Sequence, residues 1–323
     1  AAFRTSDAFN PDSTVLRATR TGGVTSAVIV PAGGIVAGQS AWVDLKGEQV
    51  GHGHVADAPV GMHIQLGPRT DYRGGLRSRA AVLEELRELY DNVSYFDDHR
   101  EDFNRNRIRP MEASRLDLEA LIPTTNGEMP VVFHVNRADE ILRAVEFAEE
   151  VGLDPIIAGG AEAWKVSDRL AESQVPVMVN PHANLPARFS ALGARADSAA
   201  LLADAGVPVI ISTFGTHNVR KLRQMAGNAV RAGLSHDEAL KAVTRTPATV
   251  FGQQERYGSL QAGKRANLVV WSGDPFEMSS RVDAMYIGGE AVTTNNRQRE
   301  LFERYRTLDR RGEPASDETD DDE

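Results

Sequence analysis

There is no cysteine among the 323 residues of the chain. Disulfides, thiolate zinc sites and a cysteine nucleophile are therefore excluded, while the compartment stays open between the cytoplasm and an oxidising space. Lysine is scarce as well: Lys46, Lys165, Lys221, Lys241 and Lys264 stand against 31 arginines, a bias of composition rather than of function. No stretch approaches the roughly 18 consecutive apolar residues of a membrane-spanning helix, and mean hydropathy is −0.34. The chain opens on Ala1 without methionine and runs directly into polar sequence. Neither a signal peptide nor its lack can be read from that opening, and the expectation is that the true N-terminus lies upstream.

What is present suits a large α/β domain. Hydrophobic residues make up 41% and charged residues 25% of the chain, enough to bury a sizeable core with one small appendage. Net charge is −10, part of it in the acidic run 316–323, which has no apolar face to bury and is expected to be disordered. That balance argues against nucleic acid as a partner. Short apolar runs at 24–30, 62–66, 131–135, 155–158, 175–180 and 207–213 read as six strands. They alternate with helical stretches at 80–90, 138–151, 162–172 and 196–205, the pattern of repeated βα units. Helices are also expected at 219–233 and at 235–252, the latter opened by Ser235. Beyond Gly252 the apolar period becomes two, at 258–260, 266–271 and 284–292, followed by a polar, Arg-rich helix.

The run Tyr257-Gly258-Ser259-Leu260-Gln261-Ala262-Gly263-Lys264-Arg265-Ala266-Asn267-Leu268-Val269-Val270-Trp271-Ser272-Gly273-Asp274-Pro275 resembles the ending of amidohydrolases of the imidazolonepropionase and prolidase-like type. Asn10-Pro11-Asp12-Ser13, Pro130-Val131-Val132-Phe133-His134, Glu162-Ala163 and Ala229-Val230-Arg231-Ala232-Gly233-Leu234 keep that family's order. The resemblance implies a (β/α)8 TIM-type barrel with a small β-unit built from the chain ends, its first strands lying upstream of Ala1. It divides the chain into a barrel at 1–252, the β-unit at 253–294, a C-terminal helix at 295–311 and the acidic tail at 312–323.

Hydrolysis of a carbon–nitrogen bond in this family needs a divalent metal that lowers the pKa of a bound water and polarises the carbonyl. By resemblance its ligands sit at the C-terminal ends of strands one, five, six and eight. His134 matches the strand-five histidine and is the candidate metal ligand. Gly159 stands where strand six carries a histidine, and Phe214 where strand eight carries an aspartate, so both are lost ligand positions. His63 occupies a position where relatives often carry a lysine. With Asn136, Arg137, His182 and His217 it makes up the candidate substrate pocket, although Arg137 could equally pair with Asp139 or Glu140. Gly51-His52-Gly53-His54 has His-x-His spacing, but reads as a mobile loop. Gly38-Gln39 is expected to shape the barrel rim.

The expected function is that of an amidohydrolase-family protein. By resemblance it is a hydrolase of non-peptide or dipeptide-like amides, weakly active or inactive because most metal ligands are absent. The alternative is a non-catalytic homologue that binds or assembles with an active amidohydrolase. One divalent metal, zinc before others, is implied if upstream ligands exist, and none otherwise. Implied partners are a small amide or peptide-like substrate and a second amidohydrolase chain, in a homo- or hetero-oligomer.

Overall fold

The computed structural model describes residues 1–46, 55–67, 69–70, 76–105, 107, 109 and 111–306. The strands of its largest sheet are β1 (Ser26–Ile29), β2 (Val36–Asp44), β3 (Val55–Gln65), β6 (Val131–Val135), β7 (Pro155–Gly159), β8 (Val177–Val179) and β9 (Val209–Ile211). Between β3 and β6 lies a two-residue ladder of β4 (Arg69–Thr70) and β5 (Leu76–Arg77); the chain later forms a three-stranded sheet of β10 (Leu268–Trp271), β11 (Val282–Ile287) and β12 (Glu290–Ala291). The helices of the first half are α1 (Thr14–Arg20), α2 (Arg79–Asp98), α3 (Arg100–Asn104), α4 (Arg115–Thr125) and α5 (Ala138–Val151). Those of the second are α6 (Ser167–Glu172), α7 (Ser198–Asp204), α8 (Leu222–Arg231), α9 (His236–Val243), α10 (Arg245–Val250) and α11 (Arg297–Tyr305).

Strand order in the large sheet is β1-β2-β3-β6-β7-β8-β9. From β3 to β9 every pairing is parallel, whereas β1, β2 and β3 are joined antiparallel. The α/β class is as expected, in the form of a curled half-barrel. The sequence reading needs correction on its first strands. The run at 24–30 is not a barrel strand but the antiparallel edge strand β1. The run at 62–66 is the end of an 11-residue strand. Gly38-Gln39 lies inside β2 rather than on a rim, with the backbone of Gly38 at φ +121° and a register shift beside it. β2 is buried along almost its whole length, yet its Ala37, Gly38, Ser40 and Ala41 are too small to give an apolar run. Its burial comes from neighbours on both faces, which periodicity does not register.

Alternation along the parallel strands separates two cores. Met62, Ile64, Val131, Phe133, Val135, Ile157, Val177 and Ile211 face the helices. Val132, Ile156, Ala158, Met178 and Ile210 face the concave side, where they meet Ala248 and Phe251 at the end of α10. The inside of the half-barrel is therefore packed, as barrel interiors are. The outer helices form where apolar residues recur at three and four. In α2 these are Val82, Leu86, Tyr90, Val93 and Phe96, behind Ser78, whose hydroxyl accepts from the Ala81 N–H at 3.2 Å. The helix expected at 235–252 is two, broken at Thr244 (φ −132°, ψ −78°). The β expectation at 258–260 is also wrong: these residues form bends, and Leu260 is exposed.

β10 to β12 are tied to the large sheet through one buried carboxylate. Asp44, at the end of β2, accepts from Ser26 Oγ at 2.9 Å, Asn267 Nδ2 at 2.7 Å and the Tyr257 hydroxyl at 3.2 Å, and pairs with Arg265 Nε at 2.8 Å. No described helix is long and apolar enough to cross a membrane.

Candidate functional site

β3 and β6 lie side by side with Gln65 opposite His134 and His63 opposite Val132. The alternation that puts Val132 on the concave face puts His134 there too, two residues nearer the C-terminal ends of the strands. His63 sits one layer below. The two imidazoles meet, His63 Nδ1 lying 2.9 Å from His134 Nε2, with ring centroids 5.2 Å apart. His63 is completely buried, and among the described residues its Nε2 has no hydrogen-bond partner.

Burial governs the charge state of the pair. Desolvation, with the neighbouring His134 as second cause, pushes the His63 pKa down to about 3, and desolvation pushes that of His134 down to about 4. At neutral pH both rings are neutral, so one ring donates a proton to its neighbour and the other accepts it. Neutral imidazole is the form that binds metals. Their lowered pKa values also make these two rings poor proton acceptors at pH 7, because each takes up a second proton only in acid.

The position expected to have lost its histidine is built to exclude one. Gly159 ends β7 opposite Val135, with φ +101°. A Cβ there would lie 2.8 Å from Asn136 Oδ1 and 2.9 Å from the Val135 carbonyl oxygen. The Asn136 side chain thus occupies the space a residue at 159 would need. The following turn is pinned by Gly160 N–H to Val135 O and Glu162 N–H to Asn136 O, both 2.8 Å. Glu162 in turn accepts from the backbone N–H groups of Ala138 at 3.2 Å and Gly193 at 3.0 Å.

The other expected residues are scattered. Arg137 is bidentate with Asp139, at 2.8 and 3.1 Å, which is the structural pairing rather than the pocket role. Phe214 follows β9 with φ +48° and is 45% exposed. His182 and His217 are exposed. They are held by backbone contacts, His182 N–H to Asn180 Oδ1 at 2.9 Å and Arg220 to the His217 carbonyl at 3.2 Å, and among the described residues no hydrogen bond joins either to the histidine pair. His52 and His54 lie outside the described residues.

Among the described residues, no three His, Cys, Asp or Glu side chains gather where they could hold a metal ion. Zinc takes three or four protein ligands, or three and a water. Two imidazoles bonded to each other, beside a glycine whose Cβ space is already filled, do not fit that requirement. His63 and His134 were singled out separately from the sequence, and the contact between them was missed. Its signal was there: both residues fall on the concave parity of adjacent strands.

A model of the amidohydrolase family matches residues 14–293. Members of that family are typically metal-dependent. The amidohydrolase tasK of Hapsidospora irregularis is 23% identical over 247 residues, covering 74% of this chain and 24% of that protein. An imidazolonepropionase of Aeromonas hydrophila subsp. hydrophila is 39% identical over 85 residues, covering 25% of this chain and 21% of that protein. The chain therefore spans about a quarter of the length of these curated relatives. The crystal structure of an amidohydrolase from Thermotoga maritima MSB8 superposes with a TM-score of 0.81 at 28% identity, covering 90% of this chain and 78% of that one.

Proposed function

This chain belongs to the amidohydrolase family, and from that membership we propose a protein of carbon–nitrogen hydrolase ancestry that turns over small amides or dipeptide-like compounds weakly or not at all. The observation that carries this reading is the left-handed backbone of Gly159, whose Cβ space is filled by Asn136. A simple missing side chain could be put back by one substitution; a position whose backbone and neighbour have both adapted to glycine has lost the role altogether. Phe214 adds a second loss, since a phenyl ring neither binds a metal nor carries a proton.

Hydrolysis of an amide needs an activated water and a group that moves its proton to the leaving amine. A divalent metal, when bound, supplies the first. Of the family's strand-five, strand-six and strand-eight ligand positions, the resemblance leaves a ligating side chain at His134, and its lone pair is engaged by, or its proton given to, His63. Both rings remain uncharged at neutral pH, so neither offers a proton to a leaving amine. The reading is tested by assaying the purified chain, supplied with zinc or manganese, against N-acyl amino acids, dipeptides and cyclic amides. The expected result is hydrolysis no faster in the wild type than in His134→Ala. Turnover that depends on added metal and disappears in that variant would overturn it.

A further inference from the structure

A cavity of about 510 Å³ opens at the N-terminal ends of the parallel strands, where its Ile156 lies in the register layer of His63 and one layer below His134. Its floor is the layer in which β7, β8 and β9 begin, where Ile156, Pro176 and Pro208 are neighbours in register. Its wall is α10, which contributes Arg245, Thr246, Thr249 and Val250. The break at Thr244 that separates α9 from α10 lets this short helix turn under the sheet, its end packed on the concave core through Ala248 and Phe251.

Four of the six polar side chains that line this cavity are uncommitted among the described residues; Gln174 Nε2 donates to the Ala171 carbonyl at 2.7 Å. Lys241, also in the lining, is held by Glu238 at 2.6 Å. By contrast, no hydrogen bond or ion pair engages the Arg245 guanidinium, the Asp154 carboxylate, or the Thr246 and Thr249 hydroxyls among the described residues. Arg245 and Asp154 face one cavity with opposite charges and do not pair with each other. Desolvation raises the Asp154 carboxyl above its ordinary value, while Asp154, Arg245 and Thr249 all remain open to solvent and to a ligand. A plain anion drawn by Arg245 would be repelled by Asp154, and a plain cation would meet Arg245. A ligand bearing both charges meets neither objection.

We propose that this cavity binds a free α-amino acid with an apolar side chain, its carboxylate on Arg245 and the two threonine hydroxyls, its ammonium on Asp154 and its side chain against Ile156 and Val250. Arg–carboxylate pairing supplies direction, and apolar walls with a few convergent polar groups are the usual make-up of small-molecule sites. The site lies away from the mouth of the half-barrel and does not depend on any hydrolytic activity.

The test is calorimetric titration of L-leucine into the full chain, alongside its deaminated analogue 4-methylpentanoate. Saturable binding of L-leucine is expected, weakened at least about tenfold in both Arg245→Gln and Asp154→Asn, and in Thr249→Val to a smaller degree. In Asp154→Asn the preference for leucine over 4-methylpentanoate should vanish. These are surface substitutions, and unchanged thermal melts will show that each variant folds. The proposal is overturned if L-leucine does not bind at about 10 mM. It is equally overturned if Arg245→Gln and Asp154→Asn bind as the wild type does, or if His134→Ala abolishes binding, which would put the ligand at the histidine pair.

Discussion

His63 Nδ1 stands 2.9 Å from His134 Nε2 across two adjacent parallel strands, and burial keeps both rings neutral. The unfolded chain takes up protons at these histidines below the ordinary value of 6.5, while the folded chain does so only near pH 4 for His134 and near pH 3 for His63. Their contribution to stability is therefore complete above pH 6.5 and declines as pH falls from there through the folded values. The steepest loss is about 1.4 kcal/mol per pH unit for each histidine. Urea midpoints measured at pH 7 and pH 5 should differ more for the wild type than for His63→Leu. Equal pH dependence in the two would remove burial of the pair as the cause.

Placing a histidine at position 159 should damage the fold. Gly159→His places a Cβ within 2.9 Å of both Asn136 Oδ1 and the Val135 carbonyl, at a φ of +101°, and is expected to cost about 2 kcal/mol or more. Asn136→Ala in the same chain should recover only part of the loss, because the backbone oxygen remains. Thermal melts of the single and double variants give the comparison; a Gly159→His chain as stable as the wild type would show that the turn can relax.

Phe214→Asp should behave in the opposite way. The position has φ +48° and an exposed ring, and aspartate tolerates the left-handed region better than phenylalanine does. Stability is expected to stay within about 0.5 kcal/mol of the wild type or to rise. A drop of several degrees in the same melts would mean that the phenyl ring makes contacts its exposure conceals.

Asp44 should be among the costliest polar residues to remove. It is fully buried and joined to Ser26, Asn267, Tyr257 and Arg265, so Asp44→Ala leaves a cation and three donors without their acceptor. The expected loss is about 3 kcal/mol, with β10 to β12 loosened from the large sheet. The Tyr257 phenol, pushed up to about 12 by burial first and by the Asp44 charge next, should titrate at lower pH in Asp44→Asn. Ultraviolet titration of tyrosinate reads that shift, and its absence would separate the carboxylate from the phenol.

The parallel strands from β6 to β9 were legible because each is a short apolar run closed by a turn. Strand β2 was not, since its burial rests on Ala, Gly and Ser packed on both faces. The break between α9 and α10 was hidden for a different reason: residues 235–250 keep helical spacing across it, and packing under the sheet imposes the bend. At the site, residue type alone shows that Gly159 has no side chain to offer a metal. That Asn136 fills the space a Cβ there would need was not legible, because the two residues come together only through the register of β6 with β7. Arg137 shows the converse: its neighbours Asp139 and Glu140 signalled a local pairing, and Asp139 takes it.

Metal content is the most direct measure of whether the hydrolytic centre is gone. The purified chain, exposed to zinc and then dialysed against a weak chelator, should carry well under about one ion in ten chains by elemental mass spectrometry, with His134→Ala giving the same value. A metal that stays near one per chain through dialysis and falls away in His134→Ala would contradict the account and make His134 part of a working metal centre.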